Sequence, residues 1–224
     1  MGTEPFRLKW VRVQENLPMS ELRDCVLRYD LPLEWVDEAV RYGQAADRWR
    51  FLAGRRLRLE YLRMYEIASE RWREFEVDEF GRPYFPGGPD FNISHSGGWI
   101  GMATHAEHRV GFDVEKHREI DSGLFTRQFS AMELMHIRHA EDERQAFFDS
   151  WSKKEAVMKA DGRGMRIPLH SIVLNEAGAA LAEEQWHCRP VNPTGDSRAT
   201  FLGYSAHVCS RVAIESWESE VELW

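Results

Sequence analysis

Val110-Gly111-Phe112-Asp113-Val114-Glu115-Lys116 is the stretch on which the reading of this chain turns. Val110, Phe112 and Val114 alternate with Gly111, Asp113 and Glu115, the period-2 pattern of a half-buried strand. Side chains two apart on a strand share a face, roughly 6–7 Å apart at the backbone, so Asp113 and Glu115 can converge on one small cation. Downstream lies Trp151-Ser152-Lys153-Lys154-Glu155-Ala156-Val157-Met158-Lys159, where Trp151, Glu155 and Lys159 fall at i, i+4 and i+8, one above another on a helix. Three carboxylates and a lysine suit a hard divalent metal bridging a phosphate. The same residues also fit a solvated strand face and a core tryptophan followed by an i,i+4 ion pair. Lysine usage weighs toward a site. The five lysines are Lys9, Lys116, Lys153, Lys154 and Lys159, and four of them lie in these two stretches, while arginine serves as the cation elsewhere. Lysine sets a compact point charge on phosphate, where arginine presents a planar fork.

The chain has 224 residues, enough for one large domain or two small ones, and its 43% apolar content supports a sizeable core. A net charge of −8 argues against a general nucleic-acid binder. The charge is uneven: between Arg41 and Arg73 nine arginines face only Asp47, Glu60, Glu66 and Glu70. Most of these read as a solvated helix surface, with a minority free for a phosphate or an acidic partner helix. Cys25, Cys188 and Cys209 are odd in number and form no Cys-x-x-Cys, which fits a reduced, cytoplasmic protein, with Cys188 and Cys209 as small core residues. No apolar run reaches membrane-spanning length and no signal-peptide core stands at the start.

Periodicity places a strand over Phe6–Val13 and helices over Ser20–Tyr29, Pro32–Arg41 and Ala45 to about Glu70. Phe75–Phe80 and Phe91–Ser94 read as extended. Ile100–Thr104 and Arg109–Glu115 read as paired strands across the turn at His105–His108. Helices follow over Ser130–Ala140 and Asp142–Lys159, stopped by Gly162 and Gly164. Strands over Ser171–Leu174, Gln185–Cys188, Thr200–Cys209 and Val212–Trp217 close the molecule, with a turn-rich loop over Asn192–Ser197.

A third block, Gly81-Arg82-Pro83-Tyr84 and then Phe91-Asn92-Ile93-Ser94-His95-Ser96, precedes the acidic stretches. Taken in order, Gly-Arg-Pro, Phe-Asn-Ile-Ser-His-Ser, Gly-Phe-Asp-Val-Glu and Trp-Ser-x-Lys-Glu-x-x-x-Lys closely resemble the 4′-phosphopantetheinyl transferases, in their monomeric, surfactin-synthetase-activating type. The resemblance runs from about Arg41 to about Leu174. It implies an α+β pseudo-dimer of two similar α/β lobes, residues 1–107 and 108–224, with the active site in the cleft between them. It also implies transfer of the phosphopantetheine arm of coenzyme A to a serine of an apo acyl or peptidyl carrier protein, with release of adenosine 3′,5′-bisphosphate.

On that resemblance Asp113, Glu115 and Glu155 match the metal positions. A carboxylate set without cysteine or paired histidine suits Mg²⁺ or Mn²⁺ better than zinc. Glu155 is the first candidate for general base and Glu115 the second, and Lys159 matches the lysine on the pyrophosphate. Ser94 and His95 match contacts to the CoA phosphates. Arg82 matches a residue at the 3′-phosphate, where many members carry lysine. Arg41 and Arg48 match basic positions at the 3′-phosphate and adenine end, and Glu133 matches another acidic position near the site. Two other readings stay open: a catalytically silent CoA- or carrier-binding homologue, and a metal-dependent phosphohydrolase of CoA. Carrier docking is expected on apolar residues such as Phe125, Phe129 and Met132, or on the arginine-rich segment.

Overall fold

The N-terminal alternation becomes β1 (Phe6–Arg12), with Phe6, Leu8 and Trp10 buried on one face and Arg7 and Lys9 half-buried on the other. The structure is a computed structural model and describes residues 5–14, 18, 20–196 and 199–224. Three helices follow: α1 (Ser20–Arg28), α2 (Glu34–Ala39) and α3 (Ala45–Met64). The third stops short of the expected Glu70. Glu66 takes left-handed backbone at φ 54°, its amide donates to the Arg63 carbonyl, and the Ile67 amide reaches back to the Leu62 carbonyl at 2.8 Å. This is a Schellman cap built on glutamate instead of glycine, so the sequence carries no stop signal there. A 3₁₀ turn over Ser69–Glu74 and a small ribbon of β2 (Glu76–Val77) with β3 (Pro83–Tyr84) come next.

β4 (Asp90–Ser96) and β5 (Trp99–His105) form a hairpin. The expected pairing of residues 100–104 with 109–115 does not occur. Both edges of β5 are occupied, one by β1 and one by β4, and β6 (Gly111–Lys116) begins a second sheet. The first sheet runs β11-β1-β5-β4 and carries α1–α3 on a core that includes Leu22, Trp35, Trp49, Leu52, Tyr61, Phe91 and Met102.

The second sheet is entered through α4 (Ala131–Arg138) and α5 (Glu143–Asp161) and holds β7 (Ile172–Asn175), β8 (Gly178–Leu181), β9 (Glu184–Pro190) and β10 (Tyr204–Ser210), in the order β6-β10-β9-β8-β7. Gly-Ala-Ala-Leu in β8 lacks the β-branched residues that would mark a strand. The last strand, expected over Val212–Trp217, instead spans Trp217–Leu223 as β11. It returns to the first sheet parallel to β1, with Phe6 opposite Trp217. Its three glutamates, poor strand formers, meet cations there: Glu218 faces Arg7, Glu220 pairs with Lys9, and Glu222 with Arg56. The loop expected over Asn192–Ser197 is present as far as Asp196; Ser197 lies outside the described residues.

The two sheets meet edge to edge through side chains. On β4 the polar residues alternate, and Asp90 Oδ2 accepts the Val110 amide at 2.7 Å, Asn92 Oδ1 the Phe112 amide at 3.0 Å, and Ser96 Oγ the Lys116 amide at 3.0 Å. Three amides along the free edge of β6 and its entry are thereby satisfied without a backbone ladder. Cys188 and Cys209 stand directly opposite on β9 and β10 and are joined by a disulfide, so they are not the separate core thiols expected. Cys25 remains a thiol, and burial pushes it up to about 12, so it stays protonated in the core. Among the described residues no helix is long and apolar enough to cross a membrane.

Candidate active site

β6 sorts its side chains as the alternation requires. Phe112 and Val114 enter the core between the sheets, leaving Asp113 and Glu115 on the opposite face. Gly111 lets α5 lie directly on this strand: an added Cβ would overlap the Ala156 carbonyl oxygen and come within 2.5 Å of the Ala160 nitrogen. α5 starts at the Asp142 cap, whose carboxylate accepts the Gln145 amide at 2.9 Å, and ends at Gly162 in left-handed backbone at φ 93°. Along one line of the helix Trp151 packs among Phe125, Phe129 and Phe147, while Glu155 and Lys159 come over Asp113.

Three elements contribute to one node. Ser94 Oγ of β4 donates to Asp113 Oδ1 at 2.8 Å, and Lys159 Nζ of α5 donates to the same oxygen at 2.6 Å and to Ser94 Oγ at 2.8 Å. Asp113 is 3% exposed, and its Oδ2 is a buried acceptor without a partner among the described residues. Glu115 accepts from Ser96 Oγ at 3.2 Å and faces Arg118 at 3.5 Å. Its carboxyl is raised, first by burial and then by the Asp113 charge, against the pull of Arg118. Glu155 rises to about 7, from burial first and the Asp113 charge second, with Lys159 opposing and Glu115 adding. Three carboxylates thus share one field, and each would gain from a cation. As they stand, no three His, Cys, Asp or Glu side chains among the described residues are gathered closely enough to clasp a metal ion.

The remaining sequence candidates divide. His95 follows Ser94 on β4 and is exposed; flanking protein still desolvates its ring and lowers its pKa, and Arg50 and Lys159 lower it further. Arg50, which the sequence reading passed over, donates to the Gly97 carbonyl at 3.2 Å beside this histidine. Arg48, two residues away, turns instead to the Tyr42 and Gly43 carbonyls at 2.8 and 3.0 Å. Arg41 is exposed just beyond α2. Arg82 is enclosed, its guanidinium donating to Asp90, the Phe91 and Val110 carbonyls, and the Lys159 carbonyl.

Glu133 has a structural post. It completes a capping box with Ser130, accepts the Leu174 amide at 3.1 Å, and pairs at 2.8 Å with the fully buried Lys154 amine. Elsewhere the arginine-rich segment is largely neutralised in place, with Arg55 on Glu38, Arg56 on Glu60 and Glu222, Arg71 on Glu74 and Arg73 on Glu34.

The chain is similar to known proteins. The family model described as the 4′-phosphopantetheinyl transferase superfamily matches residues 109–201, the span holding Asp113, Glu115, Glu155 and Lys159. The chain is 35% identical over 190 residues to the 4′-phosphopantetheinyl transferase ffp of Bacillus subtilis, covering 82% of this chain and 84% of that protein. It is 34% identical over 175 residues to the 4′-phosphopantetheinyl transferase gsp of Aneurinibacillus migulanus, covering 76% of this chain and 72% of the relative. Against the 4′-phosphopantetheinyl transferase Sfp of Bacillus subtilis strain 168 the identity is 35% over 140 residues, 60% of this chain and 62% of that one. With two sheets joined at the strand that bears the acidic motif, and with relatives of this extent, the chain belongs to the 4′-phosphopantetheinyl transferase superfamily.

Proposed function

We propose that this protein transfers the 4′-phosphopantetheine arm of coenzyme A to a serine hydroxyl of an apo carrier protein, releasing adenosine 3′,5′-bisphosphate. The observation that carries the reading is the convergence of Ser94, Asp113 and Lys159 on one another, with Glu115 and Glu155 held above their ordinary carboxyl range beside them. The donor set is all carboxylate oxygen and Asp113 Oδ2 is a buried acceptor without a partner among the described residues, which fits a hard divalent cation such as Mg²⁺. Asp113, Glu115 and Glu155 would hold it, and when bound it supplies neutralisation of pyrophosphate charge.

The chain's own groups do the rest. Lys159 Nζ holds a phosphate oxygen of CoA, helped by the Ser94 hydroxyl and His95. Arg41, Arg48 and Arg50 are the cations for the 3′-phosphate and adenine end. The carrier serine oxygen forms a bond to the pantetheine phosphorus as the pyrophosphate P–O bond breaks, and the Glu155 carboxylate receives the serine proton. A cation beside Glu155 would draw its pKa below the metal-free value of about 7, which keeps the carboxylate ionised and able to take that proton. Phosphoryl transfer needs little more than this positioning and charge neutralisation. We take the architecture as two lobes, 1–107 and 108–224, with the site where β4, β6 and α5 meet and the strand Trp217–Leu223 lent to the first lobe. Incubation with CoA, Mg²⁺ and an apo carrier, read by intact mass, should show one phosphopantetheine added per carrier. Hydrolysis of CoA with an unmodified carrier would replace this reading by the phosphohydrolase, and no reaction with retained CoA binding by the silent homologue.

A further inference from the structure

Helix α5 ends with carbonyls that no later turn of the helix can satisfy. The Met158 carbonyl takes the Gly162 amide, and two arginines from outside the helix serve others: Arg109 donates to the Asp161 carbonyl at 2.7 Å and Arg82 to the Lys159 carbonyl. Arg82 does more than cap. Its second terminal nitrogen donates to the Phe91 carbonyl at 3.1 Å, the Val110 carbonyl at 3.0 Å and Asp90 Oδ2 at 2.6 Å, and Asp90 in turn receives the Val110 amide. The side chain is 6% exposed. Three elements are tied at this one guanidinium: β4 at Phe91, the entry to β6 at Val110, and α5 at Lys159. Three residues farther along each strand, roughly 10 Å away, stand Ser94 and Asp113. Those two and the Lys159 ammonium are the groups that meet at the node. A planar fork of five N–H donors suits several acceptors lying in different elements, whereas an ammonium offers three.

We propose that Arg82 is a positioning residue, not a ligand of the CoA 3′-phosphate: it locks β4, β6 and the last turn of α5 together and so sets the distance of Lys159 Nζ from Asp113 and Ser94. Cations at a helix C-terminus are favourable on their own, but this one also fixes register between the sheets.

The kinetic half of the test rests on the transferase reading, and the exchange half does not. Arg82→Lys and Asp90→Asn are compared with wild type for kcat, for KM, and for the ratio of kcat/KM with CoA to that with dephospho-CoA. Both should lower kcat by about 10- to 100-fold, as expected when reacting groups are misplaced by about 1 Å, with the substrate ratio unchanged. Asp90 is the key control, because it belongs to the clamp and a carboxylate cannot bind a phosphate. Arg82→Ala should regain part of its kcat with added guanidinium ion. Hydrogen exchange of free enzyme should speed up around 110–113 and 158–162 in all three variants, whether or not the enzyme transfers phosphopantetheine. The proposal is overturned if Arg82→Lys or Arg82→Ala flattens the CoA preference while Asp90→Asn does not. Unchanged exchange at both segments overturns it as well. A wild-type enzyme that modifies no carrier removes the transferase reading alone, and the exchange data still decide the role of Arg82.

Discussion

Glu155 carries a thermodynamic signature that can be measured without substrate. Its folded value of about 7 stands above the ordinary 4.5 because burial and the Asp113 charge disfavour the ionised form. The folded protein therefore binds the proton more tightly than the unfolded chain. Below pH 4.5 the group is neutral in both states and costs nothing. Between 4.5 and 7 stability falls as pH rises, and above 7 the whole penalty is present. In metal-free protein Glu155→Gln should leave the melting temperature unchanged near pH 4 and raise it at pH 8, by about 2–4 °C for each kcal/mol relieved. A variant equally stabilised at both pH values would place the effect in packing instead. At this scale the sequence was informative where a motif fixed the backbone: Asp113, Glu115, Glu155 and Lys159 needed only the periods of strand and helix to be set on facing sides. It was uninformative where the fold chose between neighbours. Arg48 and Arg50 have the same charge and differ by two positions on α3, and only the position of Gly97 decides which stands beside His95.

The helices and strands show the same division. α5 was legible from end to end, since a capping aspartate, an i, i+4, i+8 line and a left-handed glycine all act locally. α3 overran in the sequence reading because its cap uses Glu66, and β8 was missed because it is held by its neighbours and not by its own propensity. The alternating Asp90, Asn92, Ser94 and Ser96 of β4 was present in the sequence as a polar face. That face joins two sheets, which local pattern cannot state. For docking, Phe129 is 2% exposed and packs on Phe147 and Trp151, so Phe129→Ala is a core deletion and tells nothing about a surface. α4 instead presents Met132 and Met135, 77% and 57% exposed, with Leu124 nearby in sequence at 77%. Met132→Ser with Met135→Ser should raise the carrier's KM about tenfold, the scale of losing one or two apolar anchors, and leave the KM for CoA unchanged. Equal effects on both substrates, or none on either, would show that the carrier docks elsewhere.

Across the whole molecule, β11 holds the first sheet by charge as well as by hydrogen bonds. Single exposed pairs are worth about 0.2–1 kcal/mol, but three in a row against Arg7, Lys9 and Arg56 act together. Replacing Glu218, Glu220 and Glu222 with lysine sets like charges opposite one another. It should lower the melting temperature by several degrees at low salt, with part of the loss recovered in about 1 M NaCl, where the Debye length is about 3 Å. A loss indifferent to salt would assign the effect to strand propensity. The sequence placed a strand near here but not its partner, because a parallel neighbour distant along the chain leaves no local trace. The pairing of Phe6 with Trp217 also bears on how the protein is made. On the ribosome this strand emerges about 210 residues ahead of its outer neighbour, roughly 10–40 s earlier at about 5–20 residues per second. Through that interval the nascent chain carries a strand edge of Phe-Arg-Leu-Lys-Trp-Val-Arg with its backbone groups open. Arg7, Lys9 and Arg12, interleaved with its apolar residues, keep that edge soluble while it waits, and two of them, Arg7 and Lys9, later receive glutamates of the acidic strand.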